Sequence, residues 1–169
     1  MERDTVDRAI EDWGRERPDV DARGLGVVSR VVMLAKLFGS RDKRALAPLG
    51  LAPWAADVLL ALRRQGPPFE LSPTRLRKYA VLTSGAMTTR LDRLEEAGYV
   101  RRGLDPRDRR GIRVSLTEAG RELADRAIEA RLGEFRRALG TLGEGERGAV
   151  EAGLRKMLVN LQRDSMVPP

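Results

Sequence analysis

The chain has 169 residues, of which 41% are hydrophobic and 34% charged, enough for one globular domain with its own core. It contains neither cysteine nor histidine, which excludes disulfides, thiolate metal sites and histidine as a general base. We therefore expect no cofactor, no metal and no enzymatic activity, whereas the formal net charge of +7 indicates a polyanionic partner such as nucleic acid. No apolar run approaches the roughly 20 residues of a membrane span, and no secretory signal opens the chain, so we expect a cytoplasmic protein.

Five helices are expected in the first hundred residues, because apolar side chains recur there at helical spacing. They span residues 4–17, 25–46, 53–65, 73–79 and 84–97. Pro53 suits the first turn of the third helix, and Ser72 and Thr83 can cap the fourth and fifth. Gly98 fits the left-handed position that ends a helix, so the fifth helix is expected to stop there.

Two short strands and two long helices complete the chain. The strands are expected at residues 99–103 and 112–116, joined by an arginine-rich loop. Thr117 then caps a helix that reaches about residue 139, and a last helix spans about residues 146–164. A short helix, a second helix close behind it and a β-hairpin describe a winged helix-turn-helix. The fold class is therefore mainly α, with a two-stranded wing.

The whole chain, residues 1–169, is expected to form a single domain. Residues 53–116 would make the winged helix-turn-helix lobe, flanked by a dimerisation region from residues 1–47 and 117–169. The apolar stripes of these terminal helices exceed what so small a lobe can cover, which predicts a two-fold homodimer. The residues assigned to this interface include Val28, Val31, Leu123, Ile128, Leu154, Leu158 and Leu161.

The helix over residues 84–97 has one apolar face and one face of small, hydroxylic side chains. At about 100° per residue, Met87, Leu91 and Leu94 fall together on the inward face. Small and hydroxylic residues on the opposite face let a helix approach a DNA groove and can bond phosphates or base edges. A capped, solvated helix start is the alternative. The candidate DNA-binding residues here are Thr83, Ser84, Gly85, Thr88, Thr89 and Arg93.

Positive charge is concentrated in residues 101–113, where six arginines stand against Asp105 and Asp108. This stretch has a net charge of +4, out of +7 for the chain. Gly103 and Gly111 permit sharp turns, and an arginine at the tip of such a hairpin can enter a minor groove. The two aspartates can hold neighbouring guanidinium groups in place. The alternative is a solvated basic loop.

A close resemblance to the MarR family covers residues 25–164 in element order and is carried by the runs LDRLEEAGYVRR, DPRDRR and VSLTEAG. The family's wing pattern, D-x-R-x-x-[KR], is matched by Asp105, Arg107 and Arg110. The resemblance implies that Arg107 enters a minor groove and that Asp105 supports it. Arg109, within the same run, joins the candidate DNA-binding set.

The resemblance also implies a homodimer that binds a palindromic operator in double-stranded DNA. The function it implies is that of a sequence-specific transcriptional regulator, a repressor released by a small anionic effector. An architectural or nucleoid-type DNA-binding protein without an effector is the alternative. Such a protein would spread its basic surface over several elements, whereas here the charge is concentrated in the wing.

An additional amino-terminal helix that carries Trp13 resembles the urate-responsive, PecS-like branch of the family. That resemblance implies an effector site formed by Trp13, Asp57, Arg90 and Arg102. In it, Asp57 would pair with Arg102 when the protein is competent to bind DNA. Two arginines and an indole suit urate, xanthine, an aromatic acid or a citrate-like tricarboxylate. The alternative is that these four side chains are structural, with Trp13 a core aromatic.

Overall fold

The computed structural model describes residues 2–80, 84–105 and 108–164. Its α-helices in these ranges are α1 (Thr5–Glu16), α2 (Leu25–Leu46), α3 (Pro53–Arg63), α4 (Pro73–Ala80), α5 (Ser84–Glu96), α6 (Glu118–Leu139) and α7 (Glu144–Asp164). The strands are β1 (Glu70–Leu71), β2 (Val100–Asp105) and β3 (Asp108–Leu116). Short 3-10 helices at Ala22–Gly24 and Ala47–Leu49 flank α2. The mainly α winged helix-turn-helix predicted from the sequence is confirmed.

Helix α1 is held on α2 by a network of three charged residues. Asp4 caps α1, because its carboxylate accepts hydrogen bonds from the backbone N–H groups of Val6 and Asp7 at 2.8 and 3.1 Å. Arg30 of α2 donates to Asp4 at 2.8 Å and to Asp7 at 2.6 Å. The capping residue of one helix is therefore also an ion-pair partner of the next.

The core lies in the lobe formed by α3, α4, α5, the sheet and the first half of α6. Apolar residues at helical spacing on α3, among them Leu59 and Leu62, are completely buried there. The largest fully buried side chains are Leu46, Val58, Leu59, Leu62, Leu71, Leu76, Leu91, Val100 and Val114. Burial of each such side chain contributes about 1.5–3 kcal/mol, so the lobe supplies most of the apolar stabilisation within one chain.

The sheet differs from the predicted hairpin in extent and in strand number. It is antiparallel, with β3 between β1 and β2, and β1 was not predicted because two residues carry no periodic pattern. Strands β2 and β3 pair from Val100 and Leu116 outward to Leu104 and Ile112, into the stretch expected to be a loop. Gly103 and Gly111 therefore lie inside strands, and the expected turns at these positions are wrong.

A close contact joins the end of α5 to the start of α6. Gly98 has a φ of +75°, which confirms the left-handed position predicted for it. The Thr117 hydroxyl donates to the Gly98 carbonyl at 2.7 Å and accepts from the Gly120 N–H at 3.0 Å, so its predicted capping role is confirmed. A Cβ atom on Gly120 would overlap the Tyr99 carbonyl, so the backbone approach at this position requires glycine.

The terminal helices expose many large apolar side chains. On α2 and α7 these include Val27, Val28, Val31, Val32, Leu34, Leu37, Val150, Leu154, Leu158 and Leu161. Leu123, which we assigned to the dimer interface, is buried in the lobe core, and that assignment is wrong. In the described ranges no single helix is long and apolar enough to cross a membrane. The bent pair Ala22–Leu49 and Pro53–Arg63, which meet at 80°, reaches that length and composition together.

Candidate nucleic-acid interface

Helix α5 presents the two faces that its sequence predicts. Met87, Leu91 and Leu94 are each no more than 3% exposed, whereas Thr88, Thr89 and Arg93 are exposed. The structure describes the remaining candidates, at the start of this helix, only in part. Thr83 lies outside the described part of the chain, and Ser84 and Gly85 are described only as backbone positions of α5.

Arg102 of β2 fastens the wing to α5. Its backbone N–H and its guanidinium donate to the two carboxylate oxygens of Glu95 at 2.8 and 3.0 Å. The guanidinium also pairs with Asp92 at 2.6 Å and donates to the Thr88 carbonyl at 3.3 Å. Positions 88, 92 and 95 lie on one side of α5. The Arg102 side chain alone therefore holds β2 against two turns of this helix. Sequence reasoning assigned Arg102 to a ligand and missed this contact.

A second arginine braces the wing itself. Arg113 of β3 donates to Asp105 of β2 at 2.7 Å and lies 3.9 Å from Glu70 of β1, so its charge contacts all three strands. Asp105 was predicted to hold a wing guanidinium, and Arg113 is one such partner. The support that Asp105 was predicted to give Arg107 stays a prediction, because Arg107 lies outside the described residues.

Arg109 and Arg110 belong to β3, and their side chains lie outside the described part of the chain. Strand β3 begins at Asp108, so the backbone of both residues lies at the outer end of the wing.

Helix α4 adds a basic surface that we did not predict. Arg75, Arg77 and Lys78 are all exposed on this eight-residue helix. In a helix-turn-helix the helix before the recognition helix crosses the DNA backbone, so basic side chains there suit phosphate contacts. The signal was present in the sequence as three basic residues within four positions.

A crevice of about 300 Å³ separates α4, α5 and the wing. Arg77 of α4, Thr88 of α5 and Arg102 of β2 line its polar side, and Met87 and Ile112 line its apolar side. Among the described residues, no group of three or more acidic side chains is placed to hold a metal ion.

Among the described residues, no hydrogen bond or ion pair joins two of the four residues of the predicted effector site. Trp13 on α1 is 51% exposed, so the alternative of a core aromatic is wrong. Arg90 lies with its guanidinium 5.3 Å from the centre of the Trp54 ring, and its Nη1 is buried without a hydrogen-bond partner in the described part of the chain. Asp57 pairs with Arg131 at 2.9 Å and not with Arg102, which corrects the predicted pairing.

Arg131 of α6 is the centre of a partly buried ion-pair cluster. It donates to both oxygens of Asp42 on α2, at 2.7 and 2.8 Å, and to Asp57 on α3 at 2.9 Å. Burial alone would lower the pKa of Arg131, but the hydrogen bonds to the two carboxylates outweigh it and raise the pKa above its ordinary value. One guanidinium therefore joins α2 and α6 of the terminal region to α3 of the lobe.

A family model described as the MarR family matches residues 49–111. The transcriptional regulator PecS of Dickeya dadantii is 31% identical over 158 residues, which cover 92% of this chain and 95% of that protein. The MarR family regulator Sco3205 of Streptomyces coelicolor, solved in complex with DNA, matches with a TM-score of 0.74 at 27% identity, over 85% of this chain and 90% of that one. Bordetella bronchiseptica BpsR, whose DNA binding 6-hydroxynicotinic acid regulates, matches with a TM-score of 0.66 at 26% identity, over 77% and 91%. This chain belongs to the MarR family and is a DNA-binding transcriptional regulator, not an enzyme.

Proposed function

We propose that two copies of the chain bind a palindromic operator and repress transcription from it. The observation that carries this proposal is the pairing of an exposed α5 face with a wing fixed to the same helix by Arg102. Thr88, Thr89 and Arg93 would face base edges and phosphates of a major groove. Arg107 at the hairpin tip would enter the flanking minor groove. A repressor acts where its operator DNA lies, so we propose that the protein works in the cytoplasm.

The homodimer in this proposal is supported by the apolar surface of α2 and α7. Val28, Leu154 and Leu158 are 53%, 44% and 57% exposed in the single chain, far from the burial that such side chains usually reach. A two-fold interface over these helices would belong to the obligate class, of about 2,000 Å² or more in total. Two-fold symmetry would also place two α5 helices at half-sites about 34 Å apart, one turn of DNA.

A footprint on the intergenic DNA upstream of the chain's own gene tests the operator proposal. We expect protection of a palindrome, and competition with a scrambled palindrome of equal length should show preference of at least about 1000-fold. Near-equal affinity for the two sequences would contradict the proposal. That result would favour the architectural, effector-independent alternative.

We further infer that a small organic anion releases the repressor from its operator. The buried, unpartnered Nη1 of Arg90 supports this, because an unsatisfied buried N–H donor is costly and an anion that accepted from it would relieve that cost. The four-residue site of Trp13, Asp57, Arg90 and Arg102 stays a prediction. In a Trp54→Phe background, urate or 6-hydroxynicotinic acid bound there should quench Trp13 fluorescence. If the anion lowers operator affinity but leaves Trp13 fluorescence unchanged, the effector binds at another site.

A further inference from the structure

Two large apolar side chains are exposed on the wing, within its arginine-rich segment. Leu104 of β2 is 77% exposed and Ile112 of β3 is 48% exposed, and the two lie directly opposite each other in the strand pairing. Side chains at directly opposite positions project from the same face of a sheet, so these two form one apolar patch, the wing pad. We propose that the wing pad packs on deoxyribose rings of the DNA strand that separates the major groove from the flanking minor groove. The proposal rests on the operator binding proposed above and adds a contact that distinguishes DNA from RNA.

The wing pad lies on the face of the sheet that is turned toward α5. Positions two apart share a face of a strand, so Leu104 lies on the face of Arg102, and Ile112 on that of Val114. Val114 is completely buried in the lobe core, and Arg102 reaches α5 through its ion pair with Asp92. The core-facing side of the sheet therefore continues outward past the core, where the described part of the chain leaves the wing pad largely uncovered.

The crevice of about 300 Å³ between α4, α5 and the wing has Ile112 in one wall. Another part of its wall is Arg77 of α4, whose side chain is exposed. A DNA strand presents phosphates in alternation with the apolar C–H faces of its sugars, so a cation beside an apolar side chain matches its chemistry. When a recognition helix lies in the major groove and a wing in the adjacent minor groove, the intervening strand runs between them. In this protein that strand would enter the crevice.

The charge around the wing pad favours DNA over a protein partner. Residues 101–113 have a net charge of +4. A protein that covered Leu104 and Ile112 would have to desolvate or neutralise these arginines, whereas DNA brings a phosphate with every sugar. The wing pad would also disfavour ribose, whose 2′-hydroxyl lies at the minor groove, because burial of an unbonded hydroxyl against apolar side chains is costly.

Operator titrations at several salt concentrations test the proposal. We expect Leu104→Asn and Ile112→Thr each to weaken operator binding at least about threefold, with the slope of log K against log salt unchanged because no charge is altered. Arg77→Gln should instead reduce the magnitude of that slope by about 1, as the loss of a phosphate contact does. Val20→Thr is the matched control for Ile112→Thr, because Val20 is also 48% exposed but lies between α1 and α2. The control should bind like the parent.

Single ribonucleotides placed in turn along each operator strand locate the contact. We expect a few sugars in each half-site at which a 2′-hydroxyl weakens binding of the parent. The same substitutions should have less effect on the double variant Leu104→Asn, Ile112→Thr, because the apolar side chains that exclude the hydroxyl are gone. Urea denaturation of each variant separates a loss of the contact from a loss of folding, and the ribonucleotide scan of the parent needs no substitution.

Three results would overturn the proposal. The first is operator affinity equal to that of the parent in both Leu104→Asn and Ile112→Thr. The second is an affinity loss in these variants that is accompanied by a smaller salt slope or is matched by Val20→Thr. The third is a ribonucleotide scan that has no effect on the parent, or the same effect on the parent and the double variant. Absence of any preference of the parent for its operator would instead contradict the proposed repressor function.

Discussion

The Arg113 guanidinium donates to the Asp105 carboxylate at 2.7 Å across the wing, at the last residue of β2. Asp105 is the aspartate of the wing pattern, and both side chains are less than one quarter exposed. A charge-assisted hydrogen bond in this position is stronger than one on open surface. It holds the last residue of β2 to β3 immediately before the segment that we expect to enter the minor groove.

Breaking this contact should weaken operator binding without unfolding the lobe. We expect Asp105→Asn and Arg113→Gln each to reduce operator affinity by about 1 kcal/mol, or roughly fivefold. The double variant should lose less than the sum of the two, because each single change removes the same hydrogen bond. Fluorescence anisotropy with labelled operator measures this cycle. Strict additivity would show that the pair does not position the wing.

Arg107 should carry more of the affinity than other arginines. We expect Arg107→Ala to cost about 1–3 kcal/mol of operator binding, with the fold retained. Arg23→Ala makes the same change of charge at a side chain that is 89% exposed beside Asp21, outside the lobe. It is therefore the control for a general electrostatic effect. Equal losses for the two variants in gel-shift titrations would contradict the minor-groove assignment.

Gly120 should not tolerate alanine, because the Tyr99 carbonyl lies against it, whereas Gly133 of the same helix should tolerate alanine. Gly120→Ala places a methyl group on the Tyr99 carbonyl, and we expect it to lower the free energy of unfolding by about 1–3 kcal/mol or more. Gly133→Ala meets nothing within 4 Å and should instead raise it by about 0.5–1 kcal/mol. Urea denaturation compares the two. The same sign for both variants would refute the close approach at Tyr99.

The apolar face of α7 should be buried between two chains. We expect Leu158→Glu to produce a monomer at micromolar concentration, because an unpaired carboxylate would be desolvated in the interface. Leu104→Glu changes an apolar side chain of the wing that is 77% exposed and should leave the dimer intact. Sedimentation velocity distinguishes the species. A dimeric Leu158→Glu variant would remove α7 from the interface.

Acid should release α1 before it unfolds the lobe. A hydrogen bond from Arg30 lowers the pKa of Asp4, and the Asp4 backbone N–H and then Arg30 lower the pKa of Asp7 below the ordinary 3.8. Because both pKa values are lowered by folding, their contribution is complete above that value and is lost as the pH falls through the folded pKa values. Hydrogen-exchange protection of the Val6 amide, which donates to Asp4, should fall in that range.

Arg30→Gln provides the control for this acid response. It removes the cation that ties both carboxylates to α2, so Val6 should be less protected at neutral pH and should lose less on acidification. Val6 protection that follows the lobe amides at every pH would show that the ion-pair network does not hold α1.

The sequence by itself determined the helices and the inward face of α5, because these depend on interactions over a few residues. Apolar spacing predicts α2 with the bounds observed, Thr117 caps α6 as expected, and Met87, Leu91 and Leu94 turn inward. The wing pattern around Asp105 was equally local. Helical periodicity and capping involve residues three or four positions apart, so both can be recognised from the sequence alone.

Only the tertiary structure decided which charges meet. Asp57 pairs with Arg131, 74 positions away, and Arg102 with Glu95 and Asp92 of the recognition helix. An arginine side chain is long and can reach carboxylates on several elements, so its partner depends on how those elements pack and not on local sequence. The two-residue strand β1 likewise exists because β3 offers it a partner at Val114 and Ser115.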